Sequence, residues 1–305
     1  MSWTAAPSSS VAPTKPSPPE KSQTASYGGK PPYPLARPSR QRRLSNMLLP
    51  KLSLRAFAIW QRNFLVWRKL AVPSLLGNLA DPMIYLFGLG YGLGNLLPAQ
   101  SALGGTTYLM FLASGTVCAS TMNAASFEAL YSAFSRMHVQ KTWESIMNAP
   151  IALDDIVAGE MLWAASKATL SGCAILLIVA LLGMIASPLA LWALPVIFLT
   201  GLCFAALGLI VTALAPSYDF FMYYFTLVVT PMMMLCGVFF PTEQLPALVQ
   251  TIAAELPLSH SIALARPLLL GKLPTDIFHH VFALIAIAAL AFTIAINLAR
   301  RRLLS

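Results

Sequence analysis

Between Lys69 and Arg266 the only basic side chains are Arg136, Lys141 and Lys167, and the gaps between them are filled with Leu, Ala, Ile, Val, Phe and Met. A charge at the centre of a spanning helix costs roughly 2.5–3.5 kcal/mol on insertion scales, so runs of about 20 residues that avoid charge belong in a bilayer. The spacing predicts an all-α integral membrane protein with six transmembrane helices, at approximately 72–94, 107–131, 161–184, 190–214, 220–240 and 276–298. Each is long enough to cross about 30 Å at about 1.5 Å per residue. Composition agrees, with 57% hydrophobic and 10% charged residues and a mean hydropathy of +0.69. A soluble chain could not cover that much apolar surface.

The net charge of +9 does not point to nucleic acid, because 12 of the 20 Lys and Arg lie in residues 1–69 and three more are Arg300, Arg301 and Arg302. These are flanks of a membrane domain, and their placement sets its orientation. The N-terminal region, the 132–160 loop and the C-terminal end hold 17 basic residues, the opposite side only Arg266 and Lys272. By the positive-inside rule both termini are expected in the cytoplasm.

Four segments follow from composition. Residues 1–46 hold nine prolines among Ser, Lys and Arg with no apolar block, and are expected to be a disordered cytoplasmic tail. Residues 47–71 form an amphipathic helix, since Phe57, Trp60, Phe64 and Trp67 fall within a sector of about 80° at roughly 100° per residue, opposite Arg55, Arg62 and Lys69. A helix lying on the cytoplasmic leaflet accounts for this stripe, as would one packed on a partner subunit or a basic extension of the first span. Residues 72–299 hold the six spans, and 300–305 form a short basic tail.

Two connections stand apart. Trp143, Ile146 and Met147, closed by Pro150, predict a short amphipathic helix below the membrane whose apolar face needs a partner. After the fifth span, Pro241, Pro246 and Pro257 interrupt apolar runs too short to cross, which suits re-entrant or interfacial helices.

Ionisable residues inside spans are functional candidates, with helix pairing as the competing role. Asp81 and Lys167 could neutralise each other or meet substrate, while Glu128 and Glu160 are expected to line the cytoplasmic mouth or pair with basic loop residues. Tyr85, Tyr91, Tyr108, Tyr223 and Tyr224 could stack on sugar rings or sit at the membrane interface. Asp154 and Asp155 read as negative charge at a helix start, not as a catalytic pair. Cys118, Cys173, Cys203 and Cys236 each fall in an apolar run, and of four histidines only His279 and His280 are adjacent. No catalytic residue, disulfide framework or metal site is expected, which leaves little for an integral membrane enzyme.

The block Gly237-Val-Phe-Phe-Pro-Thr-Glu-Gln-Leu-Pro246, with Leu256-Pro-Leu-Ser-His260 and Arg266, resembles the last periplasmic region of ABC type-2 exporter permeases. Arg62-Asn-Phe-Leu-Val-Trp-Arg-Lys69, Gly77-Asn-Leu-Ala-Asp-Pro82 and Phe134-Ser-Arg-Met-His-Val-Gln-Lys-Thr-Trp-Glu144 are similar to a narrower branch, the nodulation protein J permeases of lipooligosaccharide exporters. The resemblance implies a bacterial inner-membrane subunit that moves an amphiphilic saccharide outward, or a drug or lipid exporter of the same fold. It also implies a second copy of the chain, surrounding lipid, and a separate ATPase subunit, similar to nodulation protein I, that carries ATP and Mg. Gly29-Lys30 and Gly271-Lys272 lack the upstream glycine and following Ser or Thr of a P-loop, so no cofactor is expected on this chain itself. By resemblance, Arg136, Lys141, Trp143, Glu144, Ile146 and Met147 form the coupling helix that docks on the ATPase. Asp81, Tyr85, Tyr91, Lys167, Tyr223 and Tyr224 are candidates for the substrate path, and Gly237, Phe239, Phe240, Pro241, Pro246, Pro257, His260 and Arg266 for the periplasmic re-entrant motif.

Overall fold

The computed structural model describes residues 50, 52–92, 94, 106–185 and 187–304, apart from the side chain of Asp81. The segment 1–46 lies outside the described residues. Those described form helices and no strand: α1 Ala56–Gly92, α2 (108–139), α3 Thr142–Met147, α4 Leu153–Leu181, α5 Pro188–Leu214, α6 Phe220–Leu235, α7 Ala247–Ala254, α8 Pro257–Leu269 and α9 Ile277–Leu304. Helices α1, α4, α5 and α9 are long and apolar enough to cross a membrane, and α6 is apolar but shorter.

Helix α2 is long but too rich in Ser, Thr and Asn to meet that measure, and its environment explains the composition. It is enclosed by α4, α5 and α8, and every residue from Phe111 to Met122 is buried. Small side chains let neighbouring helices approach, and three of their hydroxyls turn back onto carbonyls of the same helix, while Ser120 Oγ meets Ser171 Oγ of α4 at 3.4 Å. Ser114 donates to Phe111 O at 2.7 Å, Thr116 to Ala113 O at 2.9 Å and Thr121 to Val117 O at 2.8 Å. Around it, α5 packs along both α4 and α9, and α8 lies against α2, α5 and α9.

The N-terminal boundary differs from expectation. The amphipathic helix and the first span form one helical run, marked only by a 3-10 turn at Arg68–Leu70 and a π turn at Tyr85–Leu89. Its aromatic stripe is a ladder, Phe57 stacked on Trp60 at 4.9 Å and Trp60 on Phe64 at 5.6 Å. The ladder leans on α4, where Trp67 and Phe64 meet the Trp163 ring edge-on at 5.7 and 6.4 Å and Trp60 Nε1 donates to Ser166 Oγ at 3.0 Å. Close approach depends on Gly159, since a Cβ there would lie 2.5 Å from Ile59 Cβ and 2.7 Å from Ala56 O.

Helix α4 begins at Leu153, about two turns before the span expected from 161, with Asp154 and Asp155 in its first turn as their reading at a helix start implied. Asp155 accepts from Ser53 N at 2.7 Å and Ser53 Oγ at 2.8 Å, and Asp154 accepts from Arg300 Nε at 2.9 Å and Nη2 at 2.5 Å. Neither is a simple cap, and the two diverge to different partners. Arg300 is buried, so residues 300–304 are the last turn of α9 and not a free tail. Arg302 donates to the Thr212 and Ala213 carbonyls at 3.1 and 2.9 Å, closing the C-terminus of α5.

Candidate functional site

Where α2, α3 and α4 meet, two buried acids and two half-buried cations form one network. Glu128 Oε1 accepts from Arg136 Nη2 at 3.0 Å and Trp163 Nε1 at 2.7 Å, while its Oε2 accepts from Lys167 Nζ at 2.7 Å and Ser132 Oγ at 2.9 Å. Glu160 accepts from Arg136 Nη2 at 2.6 Å, Arg136 Nε at 2.9 Å and Trp143 Nε1 at 3.2 Å. Burial works against charge on Arg136, but Glu160 and Glu128 outweigh it and raise its pKa above the ordinary range. Charges balance, and each carboxylate has at least three donors, which is the condition for holding ions away from water.

The network forms one wall of a cavity of about 550 Å³ that is also lined by Arg62, Asn63, Trp67, Tyr131 and Tyr218. Two of its donors, Asn63 Nδ2 and Trp67 Nε1, are buried with no hydrogen-bond partner. Unspent buried donors beside aromatic faces are the features of a site for a polar, hydroxyl-rich group.

At the opposite end of α2, Arg266 of α8 clasps three segments. Its Nε donates to Ser114 Oγ at 2.9 Å, its Nη2 to Gly237 O at 2.5 Å, and the guanidinium lies 3.7 Å from the Phe111 ring centroid. Gly237 turns the chain after α6 with φ 78°. Phe239 is buried with Tyr85 edge-on at 5.5 Å, Phe240 and Pro241 are half-buried, and Pro246 and Pro257 stand at the starts of α7 and α8. His260 is buried, with its ring 5.5 and 5.2 Å from those of His279 and His280. The pair that looked isolated in sequence therefore has a third member from α8.

The ABC-2 type transporter family matches residues 55–270. The chain belongs to that family. Relatives called nodulation protein J match along nearly their whole length. That of Rhizobium leguminosarum bv. trifolii is 52% identical over 256 residues, covering 84% of this chain and 97% of the relative. Those of Rhizobium meliloti strain 1021 and Bradyrhizobium diazoefficiens are 48% identical over 256 residues (84% and 97% covered) and 51% identical over 247 (81% and 93%). ABC-2 membership makes this a multi-pass membrane transport subunit rather than an enzyme.

Against that identity, the residues expected at the ABC-2 coupling helix divide in two. Trp143 is 2% exposed and Arg136 is bound to two acids, so both face into this chain, and the expected outward apolar face is absent at Trp143. Lys141 and Glu144 are exposed, and Ile146 and Met147 half-buried. Candidates for the path are dispersed. Tyr91 is exposed and stacked on Phe87, Tyr223 is exposed against Phe220, and Tyr224 is buried with its hydroxyl facing Ser126. Lys167 is held by Glu128, and the Asp81 side chain lies outside the described residues. None of the five tyrosines singled out from sequence lines the cavity. Asn63, Trp67, Tyr131, Trp163 and Tyr218 do, and only their convergence across α1, α2, α4 and the turn before α6 brings them together.

Proposed function

We propose that this chain is the membrane-spanning permease of an ATP-driven exporter that moves a lipooligosaccharide or similar amphiphilic saccharide outward across the bacterial inner membrane. Two copies would work with two ATPase subunits similar to nodulation protein I. In this reading α2 and α6 complete six spans, both termini are cytoplasmic, and α7 and α8 are the periplasmic re-entrant helices. The near full-length match to nodulation protein J carries the proposal. The cavity supports its chemical part. Sugar C–H faces can stack on Trp67, Tyr131 and Tyr218, while hydroxyls take the free donors of Asn63 and Trp67.

Export assays in a deletion strain test this. Restoring the chain is expected to restore a secreted amphiphilic saccharide, and Asn63→Leu with Trp67→Phe is expected to lower its export about tenfold, the worth of one or two lost hydrogen bonds. Membrane insertion and ATPase copurification should be unchanged. If the glycan and lipid profiles of deletion and restored strains are identical and only drug sensitivity differs, the substrate class is wrong and a drug exporter of the same fold is favoured.

A further inference from the structure

We propose that His260, His279 and His280 form a transition-metal site that ties α8 to the start of α9. One ligand-capable atom from each residue can be chosen so that all three lie within 4.8 Å of one another. The His260 and His280 Nδ1 atoms are 2.9 Å apart. Neighbouring ligands on a tetrahedral zinc with bonds of about 2.0–2.1 Å are separated by ~3.3 Å, so small ring rotations would bring three imidazoles to one ion. The three ring centroids form a nearly equilateral triangle with sides of 5.2, 5.3 and 5.5 Å.

The placement suits a cation in other respects. His260 is buried, His280 half-buried and His279 exposed, which gives a closed floor and one open side for a water as fourth ligand. Glu255 and Asp276 lie within electrostatic range of the cluster and offset the charge of a divalent ion. Imidazole donors favour zinc, nickel, copper or cobalt over calcium or magnesium. The bond would join two helices that the chain connects only through the short segment 270–276, in which Asp276 adopts a left-handed conformation with φ 49°. A metal clip there would fix the angle of α8, and with it Arg266, which α8 carries to Ser114 and Gly237.

Without metal, the same contact is a hydrogen bond between two neutral rings, one donating through Nδ1 and the other accepting. Spectroscopy separates the two. Full-length, tag-free protein in detergent, stripped with chelator, is titrated with cobalt(II) and then zinc. One equivalent of cobalt is expected to give the absorption of a tetrahedral centre, zinc should displace it, and the melting temperature should rise with zinc concentration. His279→Gln, at an exposed position, should keep the metal-free melting temperature and weaken cobalt affinity by about tenfold or more. His280→Gln should do the same for affinity. No saturable cobalt signal in the wild type, or equal affinity in wild type and His279→Gln, overturns the proposal and leaves the hydrogen-bonded pair.

Discussion

Glu128 shows why single residues inside the bilayer were only half legible. Its charge and position marked it as lining the mouth or pairing with a loop cation, and Arg136 is that cation. Lys167, expected either to neutralise Asp81 or to meet substrate, is held by Glu128 on α2 at 2.7 Å, a partner the sequence did not suggest. Nothing in a single sequence reports which faces of α2 and α4 meet. Removing the carboxylate should therefore be costly in a specific way. Glu128→Gln leaves the Lys167 ammonium without its acid, and the expected loss is about 3–5 kcal/mol, seen as reduced melting temperature and folded yield in detergent. Lys167→Met on that background should recover part of the loss, because the network again holds equal numbers of acids and cations. Equal stability of wild type and Glu128→Gln would show that the network contributes little.

At the scale of helices, the apolar runs were readable because lipid exclusion of charge acts along the chain. The boundaries were less so: Asp154 and Asp155 marked the start of α4, but nothing in the sequence showed that the amphipathic segment and the first span run on as one helix. Helix α3 gives the same lesson. Trp143, Ile146 and Met147 predicted an apolar face, but Trp143 turns inward and spends its indole N–H on Glu160, while Ile146 and Met147 are half-buried. Trp143→Asp would place a second carboxylate beside Glu160, so it should fail to fold rather than fold and lose coupling, while Trp143→Phe should fold with a lowered melting temperature. The α1–α4 contact gives a cleaner measurement. Gly159→Ala puts a methyl 2.7 Å from the Ala56 carbonyl, where backbone must move, and overpacking of this kind costs about 1–3 kcal/mol. Gly77→Ala meets nothing within 4 Å and serves as the control, with an unchanged or raised melting temperature expected, since alanine favours the helix. Equal effects at the two glycines would mean that α1 and α4 are not closely apposed.

For the molecule as a whole, the proposed orientation, with both termini in the cytoplasm, rests on the asymmetry of 17 basic residues against two. Cysteines introduced at Glu243 and Asn148, both exposed, report it directly. In intact cells an impermeant maleimide should label Glu243→Cys and spare Asn148→Cys, with labelling of the second appearing only after the membrane is opened. The reverse pattern would invert the topology. In the proposed orientation α3 lies on the cytoplasmic side, where the proposed ATPase subunit would make contact. The exposed charges here are Glu144 on α3 and Lys141 just before it, since Trp143 of α3 and Arg136 of α2 are committed inward. Charge complementarity at a rim acts mainly on encounter and pairing specificity, and juxtaposed like charges are penalised. Exchanging the two signs, Lys141→Glu with Glu144→Lys, keeps net charge and leaves the Glu128–Arg136–Glu160–Lys167 network untouched. The expected result is normal insertion and melting temperature, at least about tenfold less ATPase copurified at low salt, and a parallel fall in export, with wild-type binding weakening as salt rises. Full ATPase binding and full export in the exchanged variant would place the docking surface elsewhere, with the exposed start of α1 around Phe57 the next to test.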